Sequence, residues 1–161
     1  MTDERPVPNP YAGNEGYHCF GCDPHSKVGL RLTFTRSGDV LRSRWEPRSE
    51  LEGYPGVIHG GIQATLADEI GGWFVHVIKG TAGMTKDLQI TYHRPARSED
   101  GPFLLEAREI DSDDKSCVIE VDLRGASGGL CSTARCTYAL FSEAVARRRL
   151  SFPGKEAFQP R

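Results

Sequence analysis

Residues 59–79 read HGGIQATLADEIGGWFVHVIK. Apolar side chains stand at Ile62, Leu66, Ile70, Trp73, Phe74, Val77 and Ile78, the three-and-four spacing of a helix. At about 100° per residue they fall within an arc of roughly 160°, so one broad face is built for burial. Gln63 lies inside that arc, and the pattern offers no reason for it. The opposite face collects Gly61, Thr65, Asp68 and Gly72 within about 60°. Being small and polar, it suits the close approach of a substrate or a second backbone.

On either side of this helix the period changes from three-to-four to two. Upstream, Leu30–Thr35 and then Leu41, Ser43 and Trp45 alternate with polar residues across Ser37-Gly38-Asp39, which predicts a hairpin. Downstream, Leu88, Ile90 and Tyr92 mark a third strand. Phe103, Leu105 and Ala107 mark a fourth, Cys117, Ile119, Val121 and Leu123 a fifth, and the stretch from about Leu130 to Phe141 a sixth. No helical segment separates the last four, so short turns make them antiparallel. The chain is therefore expected to be α+β, an antiparallel sheet of five to six strands curled around one long central helix.

With 161 residues, the chain is long enough for one domain that buries about two thirds of its unfolded surface. Residues 1–25 read as an N-terminal arm, coil-like through the Pro, Asn and Gly of 1–17 and ending in Cys19-Phe20-Gly21-Cys22. Residues 26–142 form the domain, and 143–161 a short helix or tail. Lys and Arg number 20 against 22 Asp and Glu, a balance that excludes an extended nucleic-acid footprint. No apolar run is long enough for a membrane span. Met1–Pro6 carries no apolar signal region, which makes the cytoplasm the expected location. Five cysteines there are expected to be reduced thiols.

Pro55-Gly56-Val57-Ile58-His59-Gly60-Gly61 leads into the helix. A helix start leaves backbone N–H groups unpaired and attracts negative charge. Glycines there let a ligand approach the backbone. An N–H aimed at a carbonyl oxygen is an oxyanion donor contributing on the order of 3 kcal/mol to acyl transfer. Equally, Gly60-Gly61 serves a tight turn into the helix. Asp68 shares the azimuth of Gly61 seven residues on, whereas Glu69 reads as its solvated neighbour. The rise along the axis separates Gly61 and Asp68 by about 10 Å, too far to serve one carbonyl and its attacking water. Two antiparallel helices related by a twofold would set Gly61 of one chain opposite Asp68 of the other. If the chain is an enzyme, it is expected to be a dimer.

The run His59-Gly60-Gly61 with an acid nine positions after its histidine, followed by Thr85-Lys86-Asp87-Leu88-Gln89-Ile90-Thr91-Tyr92 and Arg94-Pro95, resembles the hotdog-fold acyl-CoA thioesterases of the PaaI and hydroxybenzoyl-CoA type. The resemblance covers residues 28–141. It implies the hotdog fold, a homodimer that often pairs into a homotetramer, and hydrolysis of an acyl-CoA thioester. It also implies that Gly61 N–H polarises the thioester carbonyl while His59 and Gly60 shape the turn. Asp68 would be general base or nucleophile, and Thr85 would orient water or the carboxylate. Related enzymes often carry Asn or Gln six residues before the histidine, where this chain has Gly53; either that contact is missing or Glu52 replaces it. Thr85 is off the Leu88 parity, so it reaches the site only across a chain interface or through a bulge. Because coenzyme A carries phosphates, Arg94 and Arg97 are expected to form a basic rim. Trp73, Phe74 and Tyr92 are candidates for an acyl pocket or for core. Coenzyme A belongs to the substrate, so no cofactor is expected.

Two rivals keep the fold: hydration or dehydration of an acyl thioester, and non-catalytic acyl-CoA binding. His18, Cys19, Cys22 and His25 offer four metal ligands in eight residues, but structural zinc usually needs a second ligand pair elsewhere. A Cys-Phe-Gly-Cys segment before the first strand also resembles one in a subset of these hotdog proteins, which implies a structural N-terminal element, and no metal is expected. Gly125-Ala126-Ser127-Gly128-Gly129 matches the nucleophile elbow of serine hydrolases, but strands flank it and no histidine follows His93. It reads as a hairpin turn.

Overall fold

The computed structural model describes residues 3–159. The central helix α1, Gly60–Phe74, begins where His59 caps it and continues through a π-helical turn, Val75–Lys79, until Gly80 ends it at φ +72°. Leu66, Ile70, Trp73, Phe74 and Val77 of the expected apolar arc are buried, and Ile62 and Ile78 partly so. Full burial of such side chains stabilises by about 1.5–3 kcal/mol each.

Among the described residues, seven antiparallel strands form one sheet around this helix. They are β1 (Arg5–Val7), β2 (Phe34–Ser37), β3 (Val40–Trp45), β4 (Gly83–Tyr92), β5 (Phe103–Ser112), β6 (Ser116–Arg124) and β7 (Leu130–Leu140). Their spatial order is β1-β2-β3-β5-β6-β7-β4, with β4 on an edge. Inward residues of β5 and β6 alternate as expected: Phe103, Leu105 and Ala107, then Cys117, Ile119, Val121 and Leu123, are buried. A sheet folded around one apolar helix is the hotdog fold.

Two local readings need correction. Among the described residues the count is seven strands rather than five to six, because Arg5–Val7 pairs with Phe34–Arg36. Three residues that include Pro6 carry no period-two signal, and proline is tolerated there because the strand is on an edge. The first strand does not begin at Leu30. Leu30 and Leu32 are buried, but Arg31 has φ +57° and the backbone N–H groups of Leu30 and Leu32 donate to Phe20 O and Gly21 O. The alternation reported burial rather than a ladder. The C-terminal segment, expected as a short helix or tail, holds the helix α2 (Glu143–Leu150), capped by Ser142, and beyond it Phe152 and Phe158 are buried against the His76 ring. The Gly125–Gly129 segment is the β6–β7 turn, closed by Gly125 N–H donating to Gly129 O.

Candidate active site

The helix start borders a hollow of about 790 Å³ lined by Gly53, Tyr54, His59, Gly60, Gln63, Tyr92, His93 and Arg94 among others. His59 Nδ1 accepts the Gly61 N–H at 2.9 Å, so the ring satisfies the donor expected to face a substrate. An accepting Nδ1 carries no proton, which places the ring hydrogen on Nε2. Gly60 N–H has no protein acceptor among the described residues. Tyr92 OH donates to Gly60 O at 2.7 Å and holds the turn against β4. Gln63, unexplained by periodicity, is buried: its Nε2 donates to Ile58 O at 3.3 Å, and its Oε1 has no protein partner among the described residues.

Of the residues expected on the substrate, Arg94 lines this hollow. Its guanidinium is partly committed, Nη1 to Asp100 at 3.3 Å and Nη2 to Gly129 O at 3.2 Å. Arg97 lies outside the lining, exposed, its backbone bridged to Val57. Glu52 is a loop brace: Oε1 accepts Ser98 Oγ–H at 2.6 Å and Oε2 accepts Gly56 N–H at 2.8 Å. These two bonds hold its carboxyl below the usual range, and both oxygens are occupied before any substrate arrives.

Asp68 faces a second hollow, of about 510 Å³. Thr85 Oγ1 donates to Asp68 Oδ1 at 2.7 Å. The parity problem is resolved by a bulge, since the β4–β7 register shifts between Thr85 and Asp87. The extra residue turns Thr85 onto the face of Leu88. Thr85 pairs directly with Tyr138 of β7, and opposed residues share a face. Tyr138, which sequence reasoning did not single out, donates to Asp68 O at 2.8 Å and to Oδ1 at 3.3 Å. Burial raises its pKa far above the ordinary tyrosine value, so it remains a donor. Among the described residues both donors serve Oδ1, leaving Oδ2 without a protein partner. Tyr138→Phe is expected to lower stability by about 1 kcal/mol, the net worth of one such bond, measurable as a shift in the urea midpoint.

Thr85 and Asp68 are thus brought together, while Gly61 and Asp68 of one chain are not. They border different hollows. Trp73 lines the Asp68 hollow, Tyr92 the other, and Phe74 is core.

Glu69 is not the solvated residue expected. Trp73 Nε1 donates to its Oε1 at 3.1 Å and Cys19 Sγ lies 3.4 Å from the same atom. Burial, then the nearby Cys19, raises its pKa to about 7. Cys19 shifts down to about 5, chiefly because the Cys22 thiol donates to it. His18 and His25 are exposed and take no part in this cluster.

Residues 55–132 match the family model described as the thioesterase superfamily. This segment is similar to that superfamily. The matched segment contains His59, Gly60, Gly61, Asp68 and Thr85. Solved structures agree with the fold. One described as a thioesterase superfamily protein superposes with TM-score 0.69 at 24% identity, over 76% of this chain and 60% of that one. The thioesterase HI1161 from Haemophilus influenzae gives TM-score 0.64 at 23% identity, over 70% and 80%. The Streptococcus mutans protein smu.793, bound to acetyl CoA, gives TM-score 0.64 at 17% identity, over 81% and 98%. At these identities the likeness is one of fold, and the chain spans less than two thirds of the first of these proteins. No curated protein matches in sequence. No described helix is long and apolar enough to cross a membrane.

Proposed function

We propose that this chain is an acyl-CoA thioesterase whose site forms between two copies, with the helix start of one facing Asp68 of the other. The observation that carries this reading is the oriented carboxylate: Thr85 and Tyr138 hold Asp68 Oδ1 while Oδ2 has no protein partner among the described residues. A carboxylate held this way is prepared either to take a proton from water or to attack a carbonyl carbon. The acetyl CoA bound to the Streptococcus mutans protein of the same fold supports a coenzyme A ester as the ligand class.

In the general-base form, Asp68 takes a proton as the water oxygen bonds to the thioester carbon. In the nucleophilic form, Oδ2 makes that bond and water later releases the acyl group. Either way negative charge gathers on the carbonyl oxygen, and the helix start stabilises it. The oxygen approaches Gly60 N–H and replaces His59 Nδ1 on Gly61 N–H. The C–S bond then breaks, and the coenzyme A thiolate leaves and is protonated. Arg94 and Arg97 meet the phosphates at the rim.

Strand β4 supports a second copy. It is a ten-residue sheet edge with Met84 and Tyr92 exposed, and long exposed edges invite pairing. Such dimers can pair again into tetramers.

The test is complementation on a panel of short, medium, long and aromatic acyl-CoAs. Gly61→Pro removes the N–H at a first-turn position that tolerates proline, and Asp68→Asn removes the base. Each homodimer is expected to be inactive. Mixed dimers contain one intact site of two, so about half of wild-type turnover should return. Failure of any mixture to recover thiol release would rule out the shared site, and a wild type inert on the whole panel would rule out the activity.

A further inference from the structure

We propose that Cys19 Sγ, Cys22 Sγ and the Glu69 carboxylate form a binding site for a single thiophilic divalent cation of the zinc class, joining the N-terminal segment to the central helix. This departs from the expectation of no metal. That expectation rested on the want of a second ligand pair in sequence, and here the third ligand comes from α1, fifty residues away.

One donor atom from each of the three residues lies within 4.8 Å of the other two, and Cys19 Sγ is 3.4 Å from Glu69 Oε1. Ligands about 2.3 Å (sulfur) and 2.0–2.2 Å (oxygen) from a tetrahedral zinc stand roughly 3.5–3.8 Å apart. Closing the trio around an ion therefore takes only small side-chain movements.

The surroundings are those of a ligand set. Glu69 is drawn inward, yet it makes no ion pair with any Lys or Arg among the described residues. Its neighbours are two thiols, so the cluster lacks a counter-charge. Two thiolates and a carboxylate leave a formal excess of one negative charge around a divalent ion. Trp73 Nε1–H on Glu69 Oε1 and the Tyr17 hydroxyl 2.8 Å from Cys22 Sγ are donors placed to offset it.

The loop geometry is specific to this approach. Gly21, between the cysteines, lies so close to the Glu69 side chain that a Cβ there would stand 2.2 Å from Glu69 Cδ. The loop is also fixed from behind, since Phe20 O and Gly21 O accept the N–H groups of Leu30 and Leu32. The three donors border the same hollow as Asp68 and Thr85, so a fourth ligand can be water from that hollow. Binding releases to solvent whatever protons the three ligands still carry.

The test is addition of cobalt(II), then zinc(II), to the full chain freed of metal and kept reduced. Cobalt is expected to bind at about one ion per chain and to give a sulfur-to-cobalt charge-transfer band in the near ultraviolet, which zinc bleaches. Cys19→Ser and Cys22→Ser should each weaken zinc binding by at least about 100-fold. Tyr17→Phe, which keeps all three ligands, should weaken it about 10-fold. The absence of a charge-transfer band in the reduced wild type would overturn the site, whatever the variants do. So would wild-type zinc affinity in Cys22→Ser. Thioesterase activity plays no part in these readings, so the result stands apart from the proposed function.

Discussion

Asp68→Asn is expected to lower acyl-CoA turnover by about 10²- to 10⁴-fold, the contribution of a positioned general base. The substitution keeps the side chain's size and an acceptor oxygen, so Thr85 Oγ1 and Tyr138 OH retain a partner at the Oδ1 position. What it removes is the negative charge and the oxygen that takes the proton or attacks the carbon. KM should change far less than kcat, because the helix start and the arginines are untouched. Free-thiol release under saturating substrate measures the first effect, and size-exclusion chromatography checks that assembly is retained. Hydrolysis at the wild-type rate would sink the mechanism. Equal losses in kcat and in folded protein would instead make Asp68 a structural residue.

Gly71→Ala is expected to destabilise the protein by about 1–3 kcal/mol, the usual cost of overpacking, and to impair turnover as well. Helix propensity alone argues the other way, since alanine is favoured over glycine in a helix interior by up to about 1 kcal/mol. Packing decides the sign. A Cβ on Gly71 would lie 2.2 Å from Tyr138 OH and 2.9 Å from Cζ. That ring cannot yield freely, because its hydroxyl is bonded to Asp68 and its strand is paired with Thr85. The overlap therefore displaces the group that orients the carboxylate. Gly72→Ala is the matched control, one position along the same helix, where a Cβ meets no atom within 4 Å. Thermal or urea unfolding of the two variants should separate in opposite directions; equal stability would show that Tyr138 is not held as described.

Much of the site was legible without coordinates because its parts follow local patterns. The apolar arc marked the helix, and the two glycines after His59 marked its start. The shared azimuth of Gly61 and Asp68, with the rise per residue, separated them by about 10 Å. The hydrogen bond from Gly61 N–H to His59 Nδ1 is also local, yet histidine is not among the side chains that usually cap helices, so it gave no signal. Leu30 and Leu32 misled for a related reason: side-chain alternation reports which way residues point, whereas a strand also needs a partner for its backbone.

Thr85 shows where local reading stops. Its parity placed it off the Leu88 face, and only the register shift against β7 turns it toward Asp68. A bulge belongs to a pair of strands, so neither strand's residues announce it. Tyr138 has inward parity, but its partner lies seventy residues away. The third donor beside Cys19 and Cys22 lies fifty residues from the first cysteine. Sequence alone determined the helix, most strands, the turn that starts the helix and the distance along it between Gly61 and Asp68, because each follows from spacing along one segment. Tertiary structure alone decided what holds Asp68, that Glu52 braces a loop and that Glu69 joins two thiols. These depend on how distant segments are brought into register and packed, which no periodicity within a segment encodes.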